Sequence, residues 1–280
     1  MRTVALALLI SLGVYLRLAD VCVATTNSAT WSSETTRVTP RGTGTVTASG
    51  SVSREGDAAE WTAERQGTTA GGETWQSTTT GSGTKTDDGR EWQATTEGTT
   101  EAGHTWTTEK EGTVTRNDDG TITIERDATT TRDDGTVVTK SLDTTVTKTE
   151  EGTTWTTEGT RTGPKGTATM EASGSTVKTE DGAELTVDRS GTTAGGKTWS
   201  STTTGTGTKT DSGRSWSTTT EGSTEGGATW TKERQGEAVK STDGSAGVTR
   251  TVNTQVTGSK AGKTKSGKAA ATTKVRRSRK

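Results

Sequence analysis

Tryptophan is the residue type in this chain whose spacing could best support binding chemistry. Tryptophans recur 14 and 17 residues apart, as in Trp61, Trp75 and Trp92. If these indoles project from matching points of successive hairpins, they form a ladder whose flat faces can stack on sugar or aromatic rings. The alternative is that they cover one face of a sheet and supply most of its apolar burial. Leu185 occupies a tryptophan slot of the second repeat, which favours packing. The candidate glycan-binding or packing residues are Trp61, Trp75, Trp92, Trp106, Trp155, Trp199, Trp216 and Trp230.

The end of the chain is a second candidate site because it is strongly basic. Residues 259–280 contain no acid, and Gly, Ala, Ser and Thr fill most of the remaining positions. This composition predicts a disordered tail that binds anionic polymers through counterion release. Binding to the acidic body of a neighbouring molecule and a merely solvated tail stay open. Removal of the tail is expected to leave folding unchanged. The candidate polyanion-binding residues are Lys260, Lys263, Lys265, Lys268, Lys274, Arg276, Arg277, Arg279 and Lys280.

The sequence contains few residues that could carry out catalysis. The only histidine, His104, occupies a slot that holds Glu73 and Arg90 in other sub-units, which is typical of a surface side chain. No phosphate loop or zinc-ligand spacing is present. The paired acids lack a calcium-binding loop and are explained as turn residues. We therefore expect no enzymatic activity, no cofactor and no metal site.

The composition excludes a conventional globular core. Hydrophobic residues make up 24% of the chain, and phenylalanine is absent. Folding must offset the conformational entropy of the chain by burying apolar surface, and this sequence has little to bury. Two solutions remain. The chain is disordered, or it forms thin β-structure in which each unit buries a little surface against its neighbours.

An internal duplication favours β-structure. Residues 31–112 reappear at 155–236 with an offset of 124 residues, which is four times a 31-residue unit made of 14- and 17-residue sub-units. Asp-Gly turns separate segments in which threonine and valine alternate with other residues, as in hairpins. The sequence therefore predicts an all-β, repetitive β-hairpin array, either an elongated meander or solenoid-like. The expected parts are a first half at 25–154, a second half at 155–258 and the disordered basic tail at 259–280.

The first residues have the pattern of a secretory signal peptide. An apolar run follows Arg2, and the small residue Ala24 marks the expected cleavage position. Residues 1–24 are therefore expected to be removed, although a retained anchor stays open. Cys22 is the only cysteine and leaves with this segment, so no disulfide is expected. The expected destination is secretion, the cell surface or the periplasm.

Two short patterns resemble known surface repeats. Runs such as Thr113-Val114-Thr115 resemble the water-ordering face of β-solenoid ice-binding proteins. The Gly-x-x-Trp rhythm is loosely similar to bacterial surface repeats such as choline-binding repeats. Charged residues interrupt the threonine runs, and the repeat periods differ. Neither resemblance therefore assigns a ligand.

The sequence alone predicts an exported, non-catalytic repeat protein with a structural or adhesive role at a cell surface or in an extracellular matrix. A polysaccharide-binding module with a tryptophan ladder and a disordered Thr/Gly-rich secreted spacer stay open as alternatives. The expected partners are an anionic cell-envelope polymer or polysaccharide. A second copy is also expected, through open sheet edges or between the acidic body and the basic tail.

Overall fold

The chain folds into β-strands joined by short turns. The computed structural model describes residues 28–39, 42–211, 213–240, 247–260 and 263–279. The expected leader, residues 1–24, and Lys280 lie outside this part. Threonine, valine and tryptophan fit a pleated sheet well, and the all-β prediction is confirmed. No helix in the described ranges is long and apolar enough to cross a membrane.

The described strands have 11 to 14 residues each, except for the last, which has 17. They are β1 (Ser28–Thr39), β2 (Gly42–Glu55), β3 (Ala58–Thr68), β4 (Thr74–Lys85), β5 (Gly89–Thr100), β6 (Thr105–Arg116), β7 (Ile122–Arg132), β8 (Val137–Lys148), β9 (Gly152–Gly163), β10 (Gly166–Lys178), β11 (Gly182–Thr192), β12 (Thr198–Thr210), β13 (Gly213–Thr224), β14 (Thr229–Lys240), β15 (Gly247–Lys260) and β16 (Lys263–Arg279). Each predicted 31-residue unit corresponds to one hairpin.

The strands form an antiparallel meander that closes into a barrel. Each strand pairs with the next, and β16 returns to pair with β1 from Ala29↔Arg279 to Val38↔Ala270. The meander prediction is confirmed, but the array closes instead of extending. Closure removes the open edges through which one of the two predicted routes of self-association would run. A barrel of this strand number with a tilt of about 40° has a backbone radius of about 15 Å.

The basic tail is part of the barrel wall. Residues 263–279, expected to be disordered, form β16 and pair with β15 from Gly247↔Arg276 to Lys260↔Lys263. The physical reason is that sheet pairing uses backbone groups, which every residue except proline carries. A strand inserted between β15 and β1 completes two ladders whatever its side chains are.

The internal duplication spans half of the barrel. β3 corresponds to β11 under the 124-residue offset, and these strands lie eight places apart in a ring of sixteen. The two sequence copies are therefore opposite arcs of one wall, related by an approximate two-fold axis along the barrel. β7 and β8 continue the wall between the two copies, and β8 pairs with β9, the first strand of the second copy.

The glycines at the turns follow the predicted chemistry in part. Gly120 and Gly135 adopt positive φ angles of 81° and 78° after their acidic neighbours, as expected. Gly89 does not. It begins β5, and a side chain there would collide with the carbonyl of Val114. Its role is close backbone approach rather than left-handed geometry.

A cationic, tryptophan-lined lumen as the candidate functional site

The two faces of the barrel wall differ completely in chemistry. Side chains alternate between faces along a strand, and all nine tryptophans lie on one face. Trp61, for example, pairs with Gly81 in the neighbouring strand, and Trp92 pairs with Gly112. We call this the inner face, and the opposite one the outer face.

Charged residues are segregated by sign between these faces. In β1–β14, every lysine and arginine whose side chain is described shares the inner face with the tryptophans, and every aspartate and glutamate lies on the outer face. The inner cations are Arg37, Arg54, Arg65, Lys85, Arg90, Lys110, Arg116, Arg126, Arg132, Lys140, Lys148, Arg161, Lys178, Arg189, Lys209, Arg214, Lys232 and Arg234. The outer acids are Glu34, Glu55, Glu60, Glu64, Glu91, Glu97, Glu109, Glu111, Glu125, Asp127, Asp143, Glu158, Glu171, Glu184, Asp188, Glu221, Glu233 and Glu237.

Burial identifies the face that lines the lumen. Ala63, Thr79 and Val187, on the tryptophan face, are only 3%, 4% and 3% exposed. Val38 and Val137, on the acidic face, remain 51% and 46% exposed although they are apolar. The concave side of a barrel crowds its side chains, whereas the convex side spreads them. The tryptophan and cation face is therefore the lumen, and the acidic, threonine-rich face is the exterior.

Lys110 illustrates the electrostatic cost of this arrangement. Burial lowers its pKa, and the charges of Arg65 and Lys140 lower it further. The folded barrel therefore binds this proton less tightly than the unfolded chain does. Between the lowered pKa and the ordinary value of 10.5, stability rises with pH. At neutral pH, the lumen holds crowded positive charge that an anion would neutralise.

Electrostatic interactions that reach across several strands agree with cations that converge inside the barrel. Burial lowers the pKa of Lys232, and Arg234 and then Arg37 contribute to the same direction. Lys232 is in β14 and Arg37 is in β1, so β15 and β16 lie between them. Side chains this far apart along the wall approach one another only when they point towards the barrel axis.

Each of several tryptophans lies flat on a glycine of the neighbouring strand. A methyl group added at Gly81, Gly98 or Gly222 would overlap the indole of Trp61, Trp106 or Trp230, respectively. The glycine lets one indole face rest on the backbone. The other face is then turned towards the lumen. These tryptophans consequently serve as packing residues and as lumen lining at once.

Replacement of one such glycine should destabilise the barrel. Gly222→Ala places a methyl group in the indole of Trp230, and we expect overpacking to cost about 1–3 kcal/mol. Gly207→Ala is the matched control, since its methyl group would meet only the carbonyl oxygen of Ser215 at 4.0 Å. Thermal unfolding followed by circular dichroism compares them. Equal melting temperatures for the two variants would contradict the packing of Trp230 on Gly222.

Threonine pairs bridge neighbouring strands inside the lumen. The hydroxyls of Thr79 and Thr96 are 2.8 Å apart, and so are those of Thr203 and Thr220 in the second copy. Arg189 Nη1 donates to Thr203 Oγ1 at 3.1 Å. The hydroxyls of the inner threonines thus hydrogen-bond to one another, and the hydroxyl of Thr203 also orients Arg189.

The lumen contains two equivalent hollows on opposite walls. The first has a volume of about 1090 Å³ and is built on β1–β6, with Arg65 and Trp106 in its lining. The second, of about 840 Å³, is built on β9–β14 with Arg189 and Trp230. The 124-residue offset relates these residues to each other, so the hollows face one another across the barrel.

The structure places the residues proposed from the sequence as follows. The eight candidate tryptophans form one surface and are the inner-face residues described above. Lys260 ends β15, the other basic tail residues up to Arg279 lie in β16, and Lys280 lies outside the described residues. His104 Nδ1 contacts Asp133 Oδ2 at 3.0 Å in exposed turns. This hydrogen bond is the main cause of a lowered pKa at Asp133.

Sequence reasoning missed the lumen cations of the strands. Their signal is the even spacing between Trp61 and Arg65, and between Glu60 and Glu64, within β3. Positions an even number apart share a face of a strand. The separation of cations from acids could therefore have been read from the sequence before the barrel was known. In the described residues, no group of three or more metal-ligating side chains occurs.

Comparison with known proteins shows a likeness of fold. No protein-family model and no curated protein sequence matches the chain. A bacterial polysaccharide outer membrane secretin is similar over 91% of this chain and 100% of its own, with a TM-score of 0.67 and 6% identity. The outer membrane protein OpdK from Pseudomonas aeruginosa is similar over 90% of this chain and 98% of its own, with a TM-score of 0.53 and 6% identity. A structure of OpdK with vanillate has a TM-score of 0.50.

These findings overturn the function predicted from the sequence. An exported structural or adhesive repeat was expected, with a tryptophan-ladder polysaccharide module or a disordered spacer as alternatives. These predictions were wrong, because the strands close into a barrel similar in fold to outer membrane proteins. Of the expected destinations, the cell surface agrees with the names of those proteins, and release from the cell finds no support in them.

Proposed function

We propose that this chain is a barrel conduit of the cell envelope that admits anionic solutes to its lumen. The observation that carries the proposal is the separation of charge, with cations on the inner face and acids on the outer face. A cavity lined by one sign of charge concentrates counter-ions of the opposite sign. Arginine and lysine at several levels of the wall would attract anions from either mouth and repel cations.

The comparisons support transport of such solutes at the level of fold. The similar proteins are named as a polysaccharide secretin of the outer membrane and as OpdK, which was also solved with vanillate. Vanillate is an aromatic carboxylate, so its charge and ring match the arginine and tryptophan lining described above. These names support only the class of solute, which is a small anion or a charged saccharide.

The chemistry of the outer face supports a location of the wall in a polar layer of the envelope. Barrels embedded in lipid carry an outward apolar band between two aromatic girdles. Here the outward face carries exposed acids near mid-strand, such as Glu64, Glu109 and Asp188, and the tryptophans point inwards. Placing these carboxylates in the hydrocarbon of a bilayer would remove their water, which costs free energy.

A membrane-spanning pore is the second candidate, and strand length favours it. Strands of 11 to 14 residues such as β3 and β2 are long enough to cross a bilayer at the usual tilt. The fold likeness favours it as well. The acidic outer face opposes it, and the two candidates predict opposite results with lipid.

Flotation with liposomes and dye binding test the proposal together. We expect residues 25–280 to stay in the aqueous fraction, and to bind a small sulfonated dye but not a cationic dye of similar size. Lys110→Gln should weaken dye binding about two- to fivefold, the range of a single solvated ion pair. The matched control, Glu109→Gln, changes the charge of the neighbouring outer residue and should not weaken it. Flotation with the liposomes would favour the pore, and binding of both dyes alike would reject anion selection.

A further inference from the structure

The two opposed hollows share one arrangement of side chains, in addition to their positive charge. In each, one cross-strand row brings an arginine and a tryptophan together with small residues between them. The first row runs Ser33, Ala48, Arg65, Ser77, Gly98 and Trp106. The second runs Thr157, Ala172, Arg189, Ser201, Gly222 and Trp230.

The small residues open space between the cation and the indole. Ser77 and Gly98 separate Arg65 from Trp106, and Ser201 and Gly222 separate Arg189 from Trp230. The residues on either side of each row member point outwards, so they contribute main chain to the floor. The result is a hollow with a flat aromatic surface at one end and a guanidinium three strands away, near the middle of the row.

Observed contacts hold both indoles, and the guanidinium of the second hollow, in place before a ligand arrives. Trp106 and Trp230 rest on Gly98 and Gly222, so one face of each indole remains turned to the hollow. Arg189 donates one hydrogen bond to Thr203. A guanidinium carries five N–H donors in a rigid fork, so this contact orients the group and leaves donors for a carboxylate.

We propose that the two hollows are equivalent binding subsites for a solute in which a ring carries a carboxylate. The ring stacks on Trp106 or Trp230, and the carboxylate pairs with Arg65 or Arg189 in the bidentate geometry that arginine favours. An aromatic acid and a sugar acid share this chemistry. The inference rests on the proposed function, because it specifies the class of anion that enters the lumen.

Two subsites related by the barrel's approximate two-fold axis give a stoichiometry that can be measured. Titration calorimetry of residues 25–280 with benzoate and with galacturonate, in separate arms, should show two equivalent sites for at least one of them. Stronger binding of benzoate would identify aromatic acids as the solute, and stronger binding of galacturonate would identify sugar acids.

Single substitutions should remove one subsite each. Arg65→Gln and Arg189→Gln are each expected to leave one site, and the double variant should bind at least tenfold more weakly. Lys197→Gln, which removes a positive charge in the turn between β11 and β12 and outside the hollows, should retain two sites. Arg65→Lys keeps the charge and loses the fork, so it reports on the subsite even if Arg65→Gln does not fold.

The outcomes separate this inference from the proposed function. If the sulfonated dye binds the lumen but the double variant keeps two carboxylate sites, the subsites are rejected and anion uptake stands. Failure of both benzoate and galacturonate to bind while the dye binds has the same meaning. If neither the dye nor the carboxylates bind, both proposals fall.

Discussion

A chain that ends at residue 262 is expected to lose cooperative unfolding. The truncation removes β16, which pairs with β15 from Gly247↔Arg276 to Lys260↔Lys263 and with β1 from Ala29↔Arg279 to Val38↔Ala270. The ring would open, and two long edges with unpaired backbone groups would be exposed, a known route to aggregation. Circular dichroism through a thermal melt, with light scattering, measures both effects.

A charge variant separates strand pairing from the charge of the tail. Substituting Lys263, Lys265, Lys268 and Lys274 by glutamine keeps the backbone of β16 and removes much of its charge. We expect this variant to melt cooperatively, close to the parent. A truncated chain that melts like the full chain would show that closure by β16 is not required for folding.

The role of the tail could not be predicted from composition. Residues 259–280 have the Lys, Gly, Ala and Ser content of a disordered segment. What orders them is a pair of partner strands that the meander has already brought close to each other. The order of the tail therefore depends on closure of the barrel, and no local pattern in the tail predicts closure.

The repeat predicted the strands well but not their closure. Alternation around Trp61 and the acidic turns indicated hairpins, and the order of pairing follows directly from short turns. Closure depends on the number of strands and the stagger between them. The 124-residue offset pointed to closure, because it equals eight strands, which is half of a sixteen-stranded ring.

The candidate site could be predicted only in part from the sequence. The tryptophans were identified, but their meaning changed once one face proved to be concave. An indole on a flat, open array would face solvent, whereas Trp106 lies on Gly98 and faces a lumen. The cations beside it, such as Arg65 and Lys110, were not predicted, because they line a lumen only once the barrel closes.

Loss of a lumen tryptophan is the second large effect that we expect. Trp92→Ala and Trp216→Ala each remove one of the few large apolar side chains in a barrel whose lumen holds little else to bury. A buried tryptophan replaced by alanine typically costs 3–5 kcal/mol. These are half-buried, so we expect about 2–3 kcal/mol each. The melting temperature should fall by several degrees per variant, given about 2–4 °C per kcal/mol for a chain of this size.

The chain itself supplies the control for this experiment. Leu185 stands in the second copy where Trp61 stands in the first, and each pairs with a glycine, Gly205 or Gly81. Trp61→Leu should therefore be tolerated, with a loss well below that of Trp92→Ala. If Trp92→Ala melts like the parent, the indoles do not stabilise the wall. If Trp61→Leu is as damaging as Trp92→Ala, the slot requires an indole, and apolar volume is not the reason that tryptophan recurs along this barrel.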